Sequence, residues 1–342
     1  MEKKTLLDLK RKLNVNHRQK GSVTYAEQIS FVLMGLQHIE KYQRNNSTGV
    51  FPTLKEVKII CQEQYEIFDI ILSEEEYKLI VSDLYAIDLF SDTLYENIYE
   101  IFVDHAYKQK CGQFFTPDKV IKMVTDMVIE GNENIIMDTA CGSGAFLIEA
   151  GKKVCNLQKT KLIGIEKDMV LANLTNKRIK KLYGETHYVI CEDTLKIDQI
   201  SFEPDIILAN PPYGINIDGE PSEKVFIKKN IEMLKNEGVM AIIIPDGILG
   251  NDGNSELRKW ILTQCRILAI IDLPKETFMP YTNIKTSIMI VKKGSFEKEY
   301  DIFMAISENC GHDARGNTVP GCDFEDIVTS YKKWIIKKIS VN

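Results

Sequence analysis

The spacing of hydrophobic positions changes character once along the chain. From Thr24 to about Lys108, apolar residues recur at the interval of amphipathic helices, as in Ile29, Phe31, Val32, Met34, Leu36 and Ile39, and again in Ile98, Ile101, Phe102 and Ala106. Phe51-Pro52-Thr53 interrupts the pattern and opens a further helix, and Ser73 with Glu76 three residues on has the form of a capping box. From about Gln109 the texture becomes short runs rich in β-branched residues, IIMD, KLIGIE, HYVICED, DIILAN, GVMAIIIP, ILAIIDL and SIMIVKK, separated by helical stretches. Strands alternating with helices predict a mostly parallel sheet covered by helices. The expectation is an α/β protein, with a helical N-terminal domain over residues 1–108 and the sheet domain over 109–342. Near the end, GSFEKEYDIFMAISENCGHDARGNTVPG is rich in turn formers and predicts strands joined by exposed loops, before a basic and aromatic helix around Tyr331 to Lys338.

Composition narrows the class without naming it. With 342 residues the chain can bury a full core, and 44% hydrophobic with 27% charged residues is ordinary for a globular protein. There is no membrane-spanning run and the basic N-terminus lacks the form of a signal peptide, so a cytoplasmic location is expected. The eight cysteines form no CxxC pair, which fits a reducing compartment. Cys310, His312 and Cys322 match no usual zinc spacing and are read as loop residues; no metal is expected. A formal net charge of −6 excludes non-specific coating of nucleic acid, so any DNA contact must be local or shared with a partner. The clearest basic run is Lys10, Arg11, Lys12, Arg18 and Lys20, opposed by Glu2 and Asp8, which reads as a solvated helix face or as a phosphate contact.

Candidate chemistry begins where Ile135-Ile136-Met137 runs into Asp138-Thr139-Ala140-Cys141-Gly142-Ser143-Gly144, a strand followed by a glycine turn and a helix. Small residues there let the backbone approach a ligand at the strand's carboxyl end. The next strand ends in Glu166, roughly twenty residues beyond the glycines, where ribose hydroxyls lie in nucleotide-binding sheets. The third leads to Glu192-Asp193-Thr194, where a carboxylate could receive an adenine amine. Each carboxylate alone is an ordinary strand-end residue; three in succession point to a cofactor. Phe146 and Leu147 stand where a pyrophosphate binder keeps its helix start open, which favours S-adenosylmethionine over a nicotinamide dinucleotide.

After the fourth strand comes Asn210-Pro211-Pro212-Tyr213-Gly214. Two prolines stop the sheet, remove two backbone donors and stiffen the loop. The Asn210 carboxamide oxygen and the Pro211 carbonyl could accept both hydrogens of an amino group, while Tyr213 offers a face on which a base can stack. Such acceptors would push a conjugated amine toward a pyramidal form whose lone pair can attack a methyl group in line. A merely rigid turn is the alternative, which the position at the end of the fourth strand after a cofactor-type glycine turn disfavours; an adenine in duplex DNA would have to be flipped out to reach these residues.

Together these residues resemble the DNA adenine-N6 methyltransferases in which the cofactor motif precedes the catalytic motif. With Gly112-Gln113-Phe114-Phe115-Thr116-Pro117 and the later LPKETFMPYTNIKTSIMIVKK, the chain is similar more narrowly to the modification subunits of type I restriction–modification systems. The resemblance implies a Rossmann-like S-adenosylmethionine-dependent methyltransferase sheet as the catalytic domain over 109–342. It implies Phe115 and Thr116 as contacts at the methionine end of the cofactor, Asp138, Gly142 and Gly144 as its turn, Glu166 at the ribose, and Asp193 at the adenine. It makes Asn210, Pro211, Pro212 and Tyr213 the catalytic loop, with Asn210 also beside the cofactor, and puts Phe278 either near the flipped base or buried against the sheet. Implied partners are double-stranded DNA, a separate specificity subunit that reads the sequence, and a restriction subunit. Two departures stand out: only a short stretch follows the last motif, and Thr139 replaces the family's frequent proline, an extra hydroxyl expected to be tolerated. The same loop could serve another planar nitrogen, in a protein glutamine or an RNA base.

Overall fold

A computed structural model of the chain describes residues 2–15, 25–44, 51–65, 73–89, 91, 94–102, 116–280, 282–294 and 299–339. Phe115, Ala106, Arg18 and Lys20 lie outside the described residues. The chain divides into two compact units, Met1–Tyr107 and Lys108–Asn342.

The elements described in the first unit are all helices: α1 (Glu2–Val15), α2 (Tyr25–Arg44), α3 (Leu54–Tyr65), α4 (Glu74–Tyr85) and α5 (Leu94–Phe102). Ile29, Phe31, Val32, Leu36 and Ile39 of α2 and Ile98 and Phe102 of α5, from the predicted apolar set, are buried, as are Leu6 and Leu9 of α1 and Ile80 and Leu84 of α4; α1 and α2 each pack on α4 and α5. A side chain at Gly35 would place its Cβ 2.5 Å from Leu84 Cδ1, so the approach of α2 to α4 requires glycine. The capping box expected at Ser73 is present: Glu76 N–H donates to Ser73 Oγ and Ser73 N–H donates to the Glu76 carboxylate. Thr53 and Glu56 repeat it at α3, the helix opened by Phe51-Pro52-Thr53. Three basic residues of α1 have partners inside this unit. Lys10 donates to the Ile101 carbonyl at 2.6 Å, Arg11 pairs with Asp8 at 3.3 Å, and Lys12 pairs with Asp83.

The second unit is built on one eight-stranded sheet. The seven apolar runs become β1 (Ile135–Asp138), β2 (Lys161–Glu166), β3 (Tyr188–Cys191), β4 (Ile206–Ala209), β7 (Val239–Pro245), β8 (Cys265–Asp272) and β9 (Thr286–Lys293). A two-stranded ribbon, β5 (Asn216–Ile217) and β6 (Glu220–Pro221), follows β4, and β10 (Phe303–Ile306) comes from the turn-rich segment. The strand order is β10-β8-β9-β7-β4-β1-β2-β3, parallel except for β9, which runs antiparallel to both β7 and β8. Alternate residues feed two cores. Ile136, Leu162, Leu208 and Ile243 point to one face, covered by α6 (Asp118–Val128), α7 (Ala145–Lys153) and, after β10, α11 (Phe324–Ile339). Met137, Ile163, Ile207 and Ile242 point to the other, covered by α9 (Ser222–Met233) and α10 (Ser255–Gln264). The remaining helix, α8 (Met169–Tyr183), packs against β2 and β3. Strand order reverses at β1, which pairs with β2 on one side and β4 on the other. In such sheets the ligand crevice opens at the carboxyl ends of the strands flanking that reversal.

Candidate active site

At the end of β1 the chain turns through Thr139 to Gly144 before α7. Cys141 N–H donates to the Ile165 carbonyl at 3.0 Å, and Gly144 N–H closes back on the Cys141 carbonyl at 2.7 Å. Gly142 and Gly144 have φ of +48° and +76°, left-handed conformations that favour glycine. At Gly144 a Cβ would also strike Thr175 Cγ2 at 2.6 Å, whereas at Gly142 a Cβ would meet nothing within 4 Å. The backbone at Gly142 therefore faces open space.

The turn is held from β2 and α8. Glu166 Oε2 accepts from Gly142 N–H at 3.0 Å and Oε1 accepts from Asp168 N–H at 2.9 Å. Thr175 donates to the Gly142 carbonyl, and Arg178 donates to the Ser143 carbonyl at 3.1 Å. Asp138 is buried, with Ala140 N–H donating to Oδ1 at 3.1 Å. Burial pushes its pKa up to about 7; the Ala140 bond acts the other way and the neighbouring Glu166 adds to the rise. Burial raises the Glu166 pKa too, against its two backbone donors. Two carboxylates are thus held close together where their charge is costly without a cationic or hydrogen-bonding ligand. Asp193, at the end of β3, spends Oδ1 on Leu195 N–H at 3.1 Å, capping the turn Thr194–Lys196.

Asn210 follows β4 directly, on the strand beside β1. Its Nδ2 donates to Thr116 Oγ1 at 2.9 Å, and its Oδ1 accepts from the Tyr213 hydroxyl. Ser222, fully buried at the start of α9, donates to the Pro212 carbonyl at 2.7 Å and ties the loop down. Tyr213 is only 4% exposed, and the Ile243 carbonyl lies 3.2 Å from its hydroxyl. Burial, with Glu223 adding to it, pushes its phenol well above the ordinary value.

A family model for N-6 DNA methylases matches residues 85–340, most of the chain. The chain belongs to the N-6 DNA methylase family. It is 28% identical to the methylase subunit of the type I restriction enzyme EcoEI of Escherichia coli, over 73% of this chain and 59% of that one. With the MpnII methylase subunit of Mycoplasma pneumoniae the identity is 26%, over 72% and 52%. The chain thus spans little more than half the length of these relatives. The type I restriction–modification methyltransferase subunit of Streptococcus thermophilus shares its fold, with a TM-score of 0.64 at 20% identity over 89% of this chain and 72% of that one.

In this member of the family, the turn after β1 and the loop after β4 lie at adjacent carboxyl strand ends, with Glu166 bound to the first and Thr116 to the second. The Tyr213 ring does not present a stacking face in this conformation, because it packs into the core, and its hydroxyl donates to one lone pair of Asn210 Oδ1. Thr116 meets Asn210, a contact across 94 residues that no local pattern signals. The Thr139 hydroxyl is buried without a hydrogen-bond partner among the described residues. Phe278 is buried in the core at 1% exposure, the second of its two readings. A further residue escaped sequence reasoning altogether: His187 accepts from Leu162 N–H at 3.2 Å through Nδ1 and anchors the start of β2, with its pKa lowered by burial. A lone histidine ahead of a strand carries no signal of that role.

Proposed function

We propose that this chain is the catalytic subunit of a type I-like modification enzyme, transferring methyl from S-adenosylmethionine to N6 of an adenine flipped out of duplex DNA. In this reading a separate specificity subunit reads the DNA sequence, and a restriction subunit completes the system. The observation that carries it is the position of Asn210, a stiffly held carboxamide at the carboxyl end of β4, next to the strand whose end bears the glycine turn and Asp138.

The residues fit the cofactor. Open space lies over Gly142, and Asp138 and Glu166 supply buried carboxylates beside it. Asp138, Gly142, Gly144 and Asn210 would surround the methionine portion with Phe115 and Thr116, Glu166 would accept ribose hydroxyls, and Asp193 the adenine amine. Bound there, S-adenosylmethionine supplies a methyl group on a sulfonium leaving group.

The chain's own contribution is to prepare the amine. Asn210 Oδ1 and the Pro211 carbonyl would accept its two N–H bonds, drawing the nitrogen toward a pyramidal form with its lone pair free to attack in line. The Pro212 carbonyl is already taken by Ser222, while no donor among the described residues reaches that of Pro211. The Tyr213 hydroxyl takes one lone pair of Oδ1 here and leaves the second for the incoming amine, and the Tyr213 ring, once released from the core, would stack on the base. Fixed acceptors in a stiff loop make catalysis chiefly positioning and electrostatic preorganisation.

The test is to incubate the chain and its specificity partner with DNA and labelled S-adenosylmethionine and to identify the product by nucleoside mass spectrometry. N6-methyladenine in the wild type and none in Asn210→Ala is the expected result. Cofactor binding without any methylated base would sink the DNA reading and turn attention to protein glutamine or RNA.

A further inference from the structure

A carboxamide has two chemically opposite ends. Only its oxygen can accept from an amine, and rotation about one side-chain torsion exchanges that oxygen for an N–H2 that would repel the substrate. In this structure Asn210 is clamped at both ends, by Tyr213 at Oδ1 and by Thr116 at Nδ2, 2.9 Å away. The second lone pair of Oδ1 is open to a substrate amine, while the bond at Nδ2 fixes which end of the carboxamide faces it.

Thr116 is built to be a fixed post. It precedes Pro117, which confines it to extended backbone, and Pro117 opens α6 by accepting from Val120 and Ile121 N–H at 2.9 and 3.0 Å. That helix is anchored by seven buried residues, among them Val120, Val124 and Met127. On the other side, Asn210 is followed by two prolines and preceded by the fully buried Leu208 and Ala209. Both partners of the bond are therefore rigidly supported, the arrangement a precise site needs.

We infer that Thr116 is a positioning residue: its hydroxyl holds Nδ2 away from the reaction so that Oδ1 faces the target amine. This role differs from contact with the cofactor and rests on the amine-methylation reading of the site. It couples the segment ahead of α6 to the loop after β4, so that displacing the first misorients the second.

The variants Thr116→Val and Thr116→Ser separate the two roles. With saturating S-adenosylmethionine, which offsets any loss of cofactor contact, Thr116→Val should lower the single-turnover methylation rate about 10- to 100-fold. Thr116→Ser, which keeps the hydroxyl, should recover most of the rate. In a Tyr213→Phe background, which removes the bond at Oδ1, a crystal structure of Thr116→Val should show the Asn210 carboxamide turned from the orientation seen here. An unchanged rate at saturating cofactor, or a carboxamide unmoved in that structure, overturns the inference. If the wild type methylates no DNA the proposed function falls, and the Thr116→Val structure still decides the role of Thr116.

Discussion

Asp138 shows how the candidate site sets local stability against readiness for a ligand. Its pKa rises from an ordinary 3.8 to about 7 in the folded chain, with burial as the main cause. The folded state thus keeps a proton that the unfolded chain releases between those values, and stability falls as pH rises through that window, with the full cost present above about 7. Glu166, also raised, adds in the same direction. Thermal melts of the ligand-free protein should therefore show Asp138→Asn more stable than wild type at pH 8 and less sensitive to pH between 5 and 8. Its affinity for S-adenosylmethionine should fall. A wild-type stability that climbs over this range, with the slope unchanged in the variant, would contradict the assignment. The glycines of the same turn divide by surroundings: Gly144→Ala combines positive φ with a Cβ at 2.6 Å from Thr175 Cγ2 and should cost about 1–3 kcal/mol. Gly142→Ala meets no atom and should cost only about 1 kcal/mol of backbone strain, and urea titration of both would reveal equal losses if the Thr175 clash were absent.

At the scale of elements, local chemistry dominates in the helices and long-range pairing in the sheet. The Ser73–Glu76 box satisfies orphan N–H groups of α4 from residues three apart, so it was legible from spacing alone. Ser73→Ala should cost about 1 kcal/mol and raise amide exchange in the first turn of α4, and exchange unchanged there would remove the box from the stability of that helix. The seven strands were legible for a similar reason, as short β-branched runs between turns. What could not be read was the order of pairing: β9 inserts antiparallel between β7 and β8, although β8 precedes it directly in sequence and β7 lies further back. A run such as Ser287-Ile288-Met289-Ile290-Val291 is apolar on both faces and fits either neighbour direction equally well, so only the surrounding sheet selects.

For the whole molecule, the division into units 1–107 and 108–342 gives each its own buried core, one of helices and one of a sheet. Both tryptophans, Trp260 and Trp334, lie in the second unit, while the described structure of the first is entirely helical. Tryptophan fluorescence should then follow unfolding of the sheet unit alone, and far-ultraviolet circular dichroism should follow both. Non-coincident denaturant transitions are expected; superimposable curves would mean that the two units unfold as one.

Sequence by itself determined which segments are helices and strands, where the glycine turn and the proline-stiffened loop fall, and which carboxylates end the strands. Those features are set by near neighbours, through periodicity, capping, and the backbone limits of proline and glycine. Tertiary structure alone decided that β1 and β4 lie side by side, that Glu166 grips Gly142, that Tyr213 turns into the core, and that Thr116 meets Asn210. Each is a contact between distant segments, fixed by how two faces of one sheet fill with side chains. The hydrogen bonds at the site follow from that packing, and no local pattern of residues encodes them.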